Sequence, residues 1–236
     1  MTALIAATST QPLMAAPAEP CWAPGPARPR LGDGVLHVWR ADLEAVGDGL
    51  SELLDDGERE RAARMLRDGD RLLWTRARGV LRALLGRYLE ADPRTLRFAT
   101  GAHGKPALAE HERLFFNLSH SGEIALYAFA QGNDVGVDLE VDRRVLDRPA
   151  LAARAFGVAE ARRLEALGPQ ARQREFLQTW TRHEAALKCR GTGIGAYRAD
   201  AQPEGLWITE LELGARAIGA LAVEGHVREL RCWEWA

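Results

Sequence analysis

Charge of either sign in excess is missing from this chain: over 236 residues, 31 Lys and Arg face 33 Asp and Glu. The net charge of -2 sets up no field that would gather nucleic acid or an anionic membrane, so an anionic ligand must be met by a local cluster. Cysteine is scarce as well. Cys21, Cys189 and Cys232 follow no metal-ligand spacing, and their odd number argues against a disulfide framework, which fits a reducing cytoplasm. No apolar run approaches the roughly 20 residues of a membrane helix. Met1 to Ala7 lack the cationic start and long apolar core of an export signal. Also absent are a residue-by-residue repeat, the Gly-Lys-Ser/Thr ending of a P-loop and a nucleophile elbow. The last absence, with the opposed faces of neighbouring strand residues, sets aside Ser119-His120 as a serine-nucleophile pair. The composition is otherwise that of a globular chain, 47% hydrophobic and 27% charged, long enough for one large domain or two small ones.

Residues 1–30 are rich in Ala, Pro and Thr and have little to bury, which predicts a mobile leader. Val35 to Trp39 reads as a first strand. Ser51 is placed to cap a helix through about Leu66, and Asp70 a second running to about Leu89. On that second helix Leu73, Ala77, Val80, Leu81, Leu84 and Tyr88 share a face. Arg71, Arg78 and Arg82 form a stripe opposite, either a solvated face or an anion-binding one. Short strands follow at Phe98, Leu114 to Phe116 and Ile124 to Ala130, the last turning through Gln131-Gly-Asn-Asp134 into a Val-rich strand. Two helices are predicted over about 150–167 and 171–189, split by Gly168-Pro169. The tail, 206–212, 217–223 and 227–235, alternates as antiparallel strands with one wet face do. This order describes an α+β chain of two halves, 31–131 and 132–236.

The chemistry concentrates in four places. In Asp134-Val-Gly-Val-Asp-Leu-Glu140, strand alternation projects Asp138 and Glu140 to one face, where they are either surface acids or part of a hard-cation site. Glu184 falls on the apolar side of its helix, beside Leu177 and Trp180, and one turn from Lys188. A carboxylate there needs a cation or an ion pair with Lys188. The strand-end segment Phe115-Phe-Asn-Leu-Ser-His-Ser-Gly122 offers hydroxyls, an amide and His120, which is either a phosphate donor and proton carrier or merely exposed. Gly101-Ala-His-Gly-Lys-Pro106 presents Lys105 beside backbone amides, a weak phosphate signal. Three glycines in Arg190-Gly-Thr-Gly-Ile-Gly195 exceed what a helix stop needs.

Taken in order, Gly104-Lys-Pro106, Phe116-Asn-Leu-Ser-His-Ser-Gly122, Val135-Gly-Val-Asp-Leu-Glu140 and Trp180-Thr-Arg-His-Glu-Ala-Ala-Leu-Lys188 resemble the signature of the 4'-phosphopantetheinyl transferases. The length matches the larger, pseudo-dimeric subfamily, of the surfactin-synthetase-activating type, and the resemblance covers about residues 50 to 200. It implies two pseudo-symmetric α/β lobes, each a small, mostly antiparallel sheet packed with helices, with the active site in the cleft between them. It implies transfer of the phosphopantetheine arm of coenzyme A, as co-substrate, to a serine of an acyl, peptidyl or aryl carrier domain of a polyketide, peptide or fatty-acid synthase, with release of adenosine 3',5'-bisphosphate. A cytoplasmic monomer is the form expected.

By the same resemblance Asp138, Glu140 and Glu184 hold Mg2+, or Mn2+. His120 and Lys188 contact phosphates, and Lys105, Pro106 and Ser119 line the coenzyme A site. Arg59, Arg64, Arg71 or Arg78 supplies the cation for the 3'-phosphate. Glu184, or a water it orients, is the candidate base, and Phe156 with Arg190 to Ile194 the candidate carrier-docking patch. One departure is His183, where the family has lysine; a partly charged imidazole there predicts a sharper pH dependence below neutrality. Two other readings use the same acids: a magnesium-dependent phosphohydrolase or nuclease, and a coenzyme A or carrier binder without catalysis.

Overall fold

The computed structural model describes residues 22–101, 104–141, 149–192 and 205–236. Two sheets carry the architecture. The larger has the order β1-β10-β2-β6-β5, from β1 (Ala23–Pro24), β2 (Val35–Asp42), β5 (Leu114–Ser121), β6 (Ile124–Gln131) and β10 (Glu229–Glu234). The smaller has the order β7-β9-β8, from β7 (Val135–Val141), β8 (Leu206–Glu212) and β9 (Ala217–Glu224), all antiparallel. A two-stranded ribbon of β3 (Phe98–Thr100) and β4 (Pro106–Leu108) stands apart. The helices are α1 (Asp56–Ala63), α2 (Asp68–Leu89), α3 (Pro149–Phe156), α4 (Val158–Glu165) and α5 (Pro169–Arg190). The expected α+β class, with small sheets packed against helices, is what is found.

Strand alternation explains the stacking. In β2 and β6 the odd-numbered Trp39, Ala41, Ala125, Tyr127 and Phe129 pack on Ala77, Val80, Leu81, Leu84 and Leu85 of α2. The even-numbered Leu36, Val38, Leu126 and Ala128 face Val135, Val137 and Leu139 of β7 and Leu221 of β9. Each fully buried leucine contributes about 1.5–3 kcal/mol. The outer face of β7 and β9 then receives α5, whose Ala185 and Cys189 pack on Ala220 and Ala222. Gly136 permits this approach: a Cβ there would lie 2.1 Å from the Ala185 carbonyl oxygen.

Several expectations shift. The predicted leader holds structure before residue 30: Ala23 and Pro24 pair with β10, and Trp22 Nε1 donates to the Glu212 carbonyl at 2.6 Å. Residues 1–21 lie outside the described residues. Ser51 caps no α-helix; it sits in a 3-10 turn, and Asp55 caps α1 in a reciprocal box with Glu58. The second helix begins at Asp68, before Asp70, with Arg67 as cap. The helix expected over 150–167 breaks at Gly157, whose φ of 87° leaves the helical region. Pro169 opens α5 and left-handed Gly191 ends it, as their chemistry predicts.

The last strand departs most. Residues 229–234, expected to extend an antiparallel tail, insert between β1 and β2 and run parallel to both. After β9 the chain thus returns to the larger sheet, which β10 completes beside β2. The arginine stripe resolves differently again. Arg82 is fully buried, with Nε donating to Glu58, Nη2 to Asp55 and Nη1 to the carbonyls of Pro93 and Leu96. Arg78 also pairs with Glu58, leaving only Arg71 as a solvated member, on Asp68. Among the described residues, no helix is long and apolar enough to cross a membrane.

Candidate active site

Edge strands have outward backbone groups to satisfy. β7 pairs only with β9, and its free side meets β5, the edge of the larger sheet. Alternate residues of β5 close the seam. Asn117 Oδ1 accepts from Val137 N at 2.9 Å, and Ser121 Oγ accepts from Val141 N at 3.2 Å and donates to Glu140 Oε2 at 3.1 Å. Ser119 Oγ, between them, donates to Asp138 Oδ1 at 3.0 Å. The polar alternation in Phe116-Asn-Leu-Ser-His-Ser121 is thus first a joint between two sheets. The motifs alone assign Asn117 and Ser121 no role, although their period of two with Ser119 is a signal of this joint.

The even residues of β7 look toward α5, which brings Lys188 and Glu184 to Asp138. Lys188 Nζ donates to Asp138 Oδ1 at 2.5 Å and to Ser119 Oγ at 3.0 Å. Lys188 pairs with Asp138 and not with Glu184, the alternative left open by helical spacing. Asp138 Oδ2 and Glu184 Oε1 are buried without a hydrogen-bond partner. Burial raises the Asp138 pKa against the opposing pull of Lys188. Burial also raises that of Glu184, with the charges of Asp138 and Glu140 adding to it. The three acids therefore share one electrostatic environment. Among the described residues no group of three or more such side chains closes into a metal-holding cluster. What fits a cation is narrower: two buried carboxylate oxygens without a hydrogen-bond partner, on Asp138 and Glu184, with Glu140 beside them and Lys188 on the other oxygen of Asp138.

Beside this pocket opens a cleft of ≈ 500 Å³. Its walls include Gly104 of the loop into β4 and Pro106 at the start of that strand, His120 at the end of β5, Arg78 and Trp74 of α2, Arg61 and Glu58 of α1, and Asp55, the cap of α1. Arg78 lies 4.1 Å from the Phe98 ring centre and Arg61 5.5 Å from that of Trp74, so cations and aromatic faces line one space. His120 is open to solvent at the mouth; surrounding protein and then the positive Lys188 lower its pKa, leaving a neutral imidazole at neutral pH.

The other expected residues fall less centrally. Lys105 turns from the cleft, its Nζ donating to Asp134 Oδ1 at 2.5 Å and to the Cys189 carbonyl at 2.8 Å. Arg59 and Arg71 line a separate groove on the far side of α1, and Arg64 is exposed on Glu60. Arg61 and Trp74, which no motif marked, line the cleft instead. Phe156 packs with Phe176, Trp180 and His183, the last at 6.0 Å. Burial pushes the His183 pKa down to about 4, so the partial charge expected near neutrality is not there. Of the segment 190–194, residues 193 and 194 lie outside the described residues.

An acidic pocket thus lies beside a cleft whose walls carry Arg61 and Arg78 together with Asp55 and Glu58, and comparison with known proteins gives the class. Residues 134–219 match the 4'-phosphopantetheinyl transferase superfamily. The 4'-phosphopantetheinyl transferase HetI of Nostoc sp. is 32% identical over 232 residues, covering 91% of this chain and 98% of HetI. The chain therefore belongs to the 4'-phosphopantetheinyl transferase family. A putative member from Synechocystis sp. is 38% identical over 151 residues, 62% of this chain and 60% of that one. The 4'-phosphopantetheinyl transferase Sfp of Bacillus subtilis is 28% identical over 115 residues, 49% of this chain and 50% of Sfp.

Proposed function

We propose that this protein transfers the 4'-phosphopantetheine arm of coenzyme A to a serine hydroxyl of an acyl, peptidyl or aryl carrier domain, releasing adenosine 3',5'-bisphosphate. It does so with Mg2+ or Mn2+, in the cytoplasm and as a monomer. The observation that carries the reading is the pair of unpartnered buried carboxylate oxygens, Asp138 Oδ2 and Glu184 Oε1, placed with Lys188 beside the cleft that Arg61, Arg78 and His120 line. Family membership supplies the transferred group. Two sheets with the site at their seam give one chain all the described parts, which supports a monomer.

The cleft holds the nucleotide end of coenzyme A, with Arg61 and Arg78 as cations for its phosphates and Trp74 and Phe98 as apolar faces for its base. Asp138 and Glu184, with Glu140 beside them, would hold the metal. When bound, the metal supplies a Lewis acid and template at the pyrophosphate. Lys188, already at the junction of β5 and β7, stabilises charge that builds on phosphate oxygens. The carrier's serine oxygen forms a bond to the β-phosphorus as the bond to the bridging oxygen breaks, and adenosine 3',5'-bisphosphate leaves. Glu184 accepts the hydroxyl proton. Its raised pKa suits that task. Full ligation of a cation would lower the same pKa, so the two uses of this carboxylate compete. His120, at the mouth, donates a hydrogen bond to a phosphate.

Intact mass of an apo carrier domain after incubation with the protein, coenzyme A and Mg2+ tests this. A gain of about 340 Da, the phosphopantetheine arm less water, abolished by EDTA and by a carrier Ser→Ala change, is expected. Release of inorganic phosphate from simple nucleotides without a carrier would move the assignment to a phosphohydrolase. Coenzyme A binding without any mass gain would leave a binder.

A further inference from the structure

Of the 31 Lys and Arg residues in this chain only two are lysines, Lys105 and Lys188. Lys188 serves the acidic pocket. Lys105 is 16% exposed, and its ammonium joins three segments of chain. It rides on the loop entering β4 and donates to Asp134, just before β7, and to the Cys189 carbonyl in the last turn of α5. The same joint is closed by Cys189 Sγ, 3.1 Å from the Asp134 carbonyl, and by Gly136, where a Cβ would lie 2.3 Å from Cys189 N. Four residues beyond Asp134 stands Asp138. One residue before Cys189 stands Lys188, and one turn earlier Glu184. Whatever fixes Asp134 against Cys189 therefore fixes α5 along β7 and the acids against each other. Two acceptors converging at short range suit a compact ammonium better than a longer planar guanidinium.

We propose that Lys105 is a positioning residue, a latch that ties the β3–β4 ribbon to the β7–α5 joint and so sets Lys188 and Glu184 against Asp138, and that it is not a ligand of substrate phosphate. What it positions rests on the transferase reading above. The neighbours Gly104 and Pro106 line the cleft, so the latch also holds that wall in place.

The test compares Lys105→Met, Asp134→Asn and the double variant. Each single change is expected to lower kcat about tenfold with KM for coenzyme A altered less than about twofold, and the double to be no worse than either, as misplacement of one constellation predicts. Amide hydrogen exchange should speed up alike in both variants over residues 187–192 and 104–108. A rise in KM of about tenfold for Lys105→Met with kcat intact and Asp134→Asn silent would overturn the proposal, since that is how a direct phosphate contact behaves. A wild-type chain that modifies no carrier would sink the transferase reading alone. Exchange would still decide the latch, and unchanged rates in both variants would refute it.

Discussion

Two clusters of buried charge in this molecule are finished in opposite ways. Around Arg82 each of the three guanidinium nitrogens has an acceptor, and Asp55 and Glu58 cap α1 while they pair with it. Around Asp138 the Lys188 ammonium meets one carboxylate oxygen, and among the described residues two others, Asp138 Oδ2 and Glu184 Oε1, are buried with nothing to accept. A polar group sealed from water without a partner costs about 1–3 kcal/mol, so the second arrangement works against folding while the first is neutral or favourable. The contrast teaches where to look for function. The cluster that the fold leaves incomplete is the candidate for chemistry, and the complete one holds the wall of the cleft.

The sharpest way to break that comparison is to remove charge from the incomplete cluster. Glu184→Gln and Asp138→Ala are expected to reduce carrier modification by about a hundredfold or more, the scale of losing one group aimed at transition-state charge. Glu184→Gln should leave the urea midpoint unchanged or raised, because it removes a desolvated charge. Well-folded variants with near-normal rates would take both residues out of the mechanism.

In the complete cluster the prediction inverts. Arg82→Ala leaves Asp55 and Glu58 without their shared cation and opens a buried gap, for an expected loss of about 3–5 kcal/mol in urea unfolding. If Arg82→Ala proved nearly neutral in stability, the claim that this network is structural would fail.

A third contrast is read in pH. Glu184 and Asp138 both have folded-state pKa values above their ordinary ones, chiefly from burial. The folded state then keeps these protons to higher pH than the unfolded chain does. Their contribution is full below the ordinary carboxylate range and is lost as pH rises through the raised values. His183 has the opposite sense. Its folded value of about 4 lies below the ordinary 6.5, so its contribution is present above 6.5 and lost as pH falls through that window. Thermal melts across pH should show Glu184→Gln, or added Mg2+, flattening the decline toward high pH, and His183→Phe flattening the decline toward low pH. Melting curves that neither substitution alters would discard both assignments. Between pH 7 and 8 wild type and His183→Lys should have parallel rate profiles, since the imidazole is uncharged there.

What the sequence made legible follows from the reach of each signal. Strand signals located β2, β6 and β7, and the Pro169 and Gly191 signals bounded α5, because these are local steric facts; β5 runs on through the polar residues to Ser121, past the end expected at Phe116. Four motifs in family order pointed to Asp138, Glu184 and Lys188 together, and the structure sets Lys188 on Asp138 with Glu184 in electrostatic reach of both. The destination of β10 was not, since alternation reports a half-buried strand and is silent on which sheet it joins or in which direction. The fate of Arg82 was hidden too. A helical wheel measures angle, and a side chain of that length reached under α1 to acids 24 and 27 residues earlier. Arg61 and Trp74 carried no local signal at all, as their shared cleft exists only once α1 lies beside α2.

The smallest expected effects test which arginines belong to the cleft. Arg64 is 77% exposed at its side chain and among the described residues pairs with Glu60 one turn away, a surface pair worth about 0–1 kcal/mol. Arg71 is bound in the same manner to Asp68. Neither lines the cleft that holds Arg61, Arg78 and His120. Arg64→Ala and Arg71→Ala should therefore change KM for coenzyme A by less than about twofold, while Arg61→Ala raises it several-fold, the effect of removing one phosphate-facing cation. Arg78 gives a less clean comparison, because Glu58 already holds it and its loss would also disturb the complete cluster. Repeating the pair with dephospho-coenzyme A, which lacks the 3'-phosphate, sharpens the result. If Arg61 meets that phosphate, its substitution costs nothing further with the truncated substrate. An equal loss with both substrates would instead place Arg61 on the pyrophosphate or on the fold of α1.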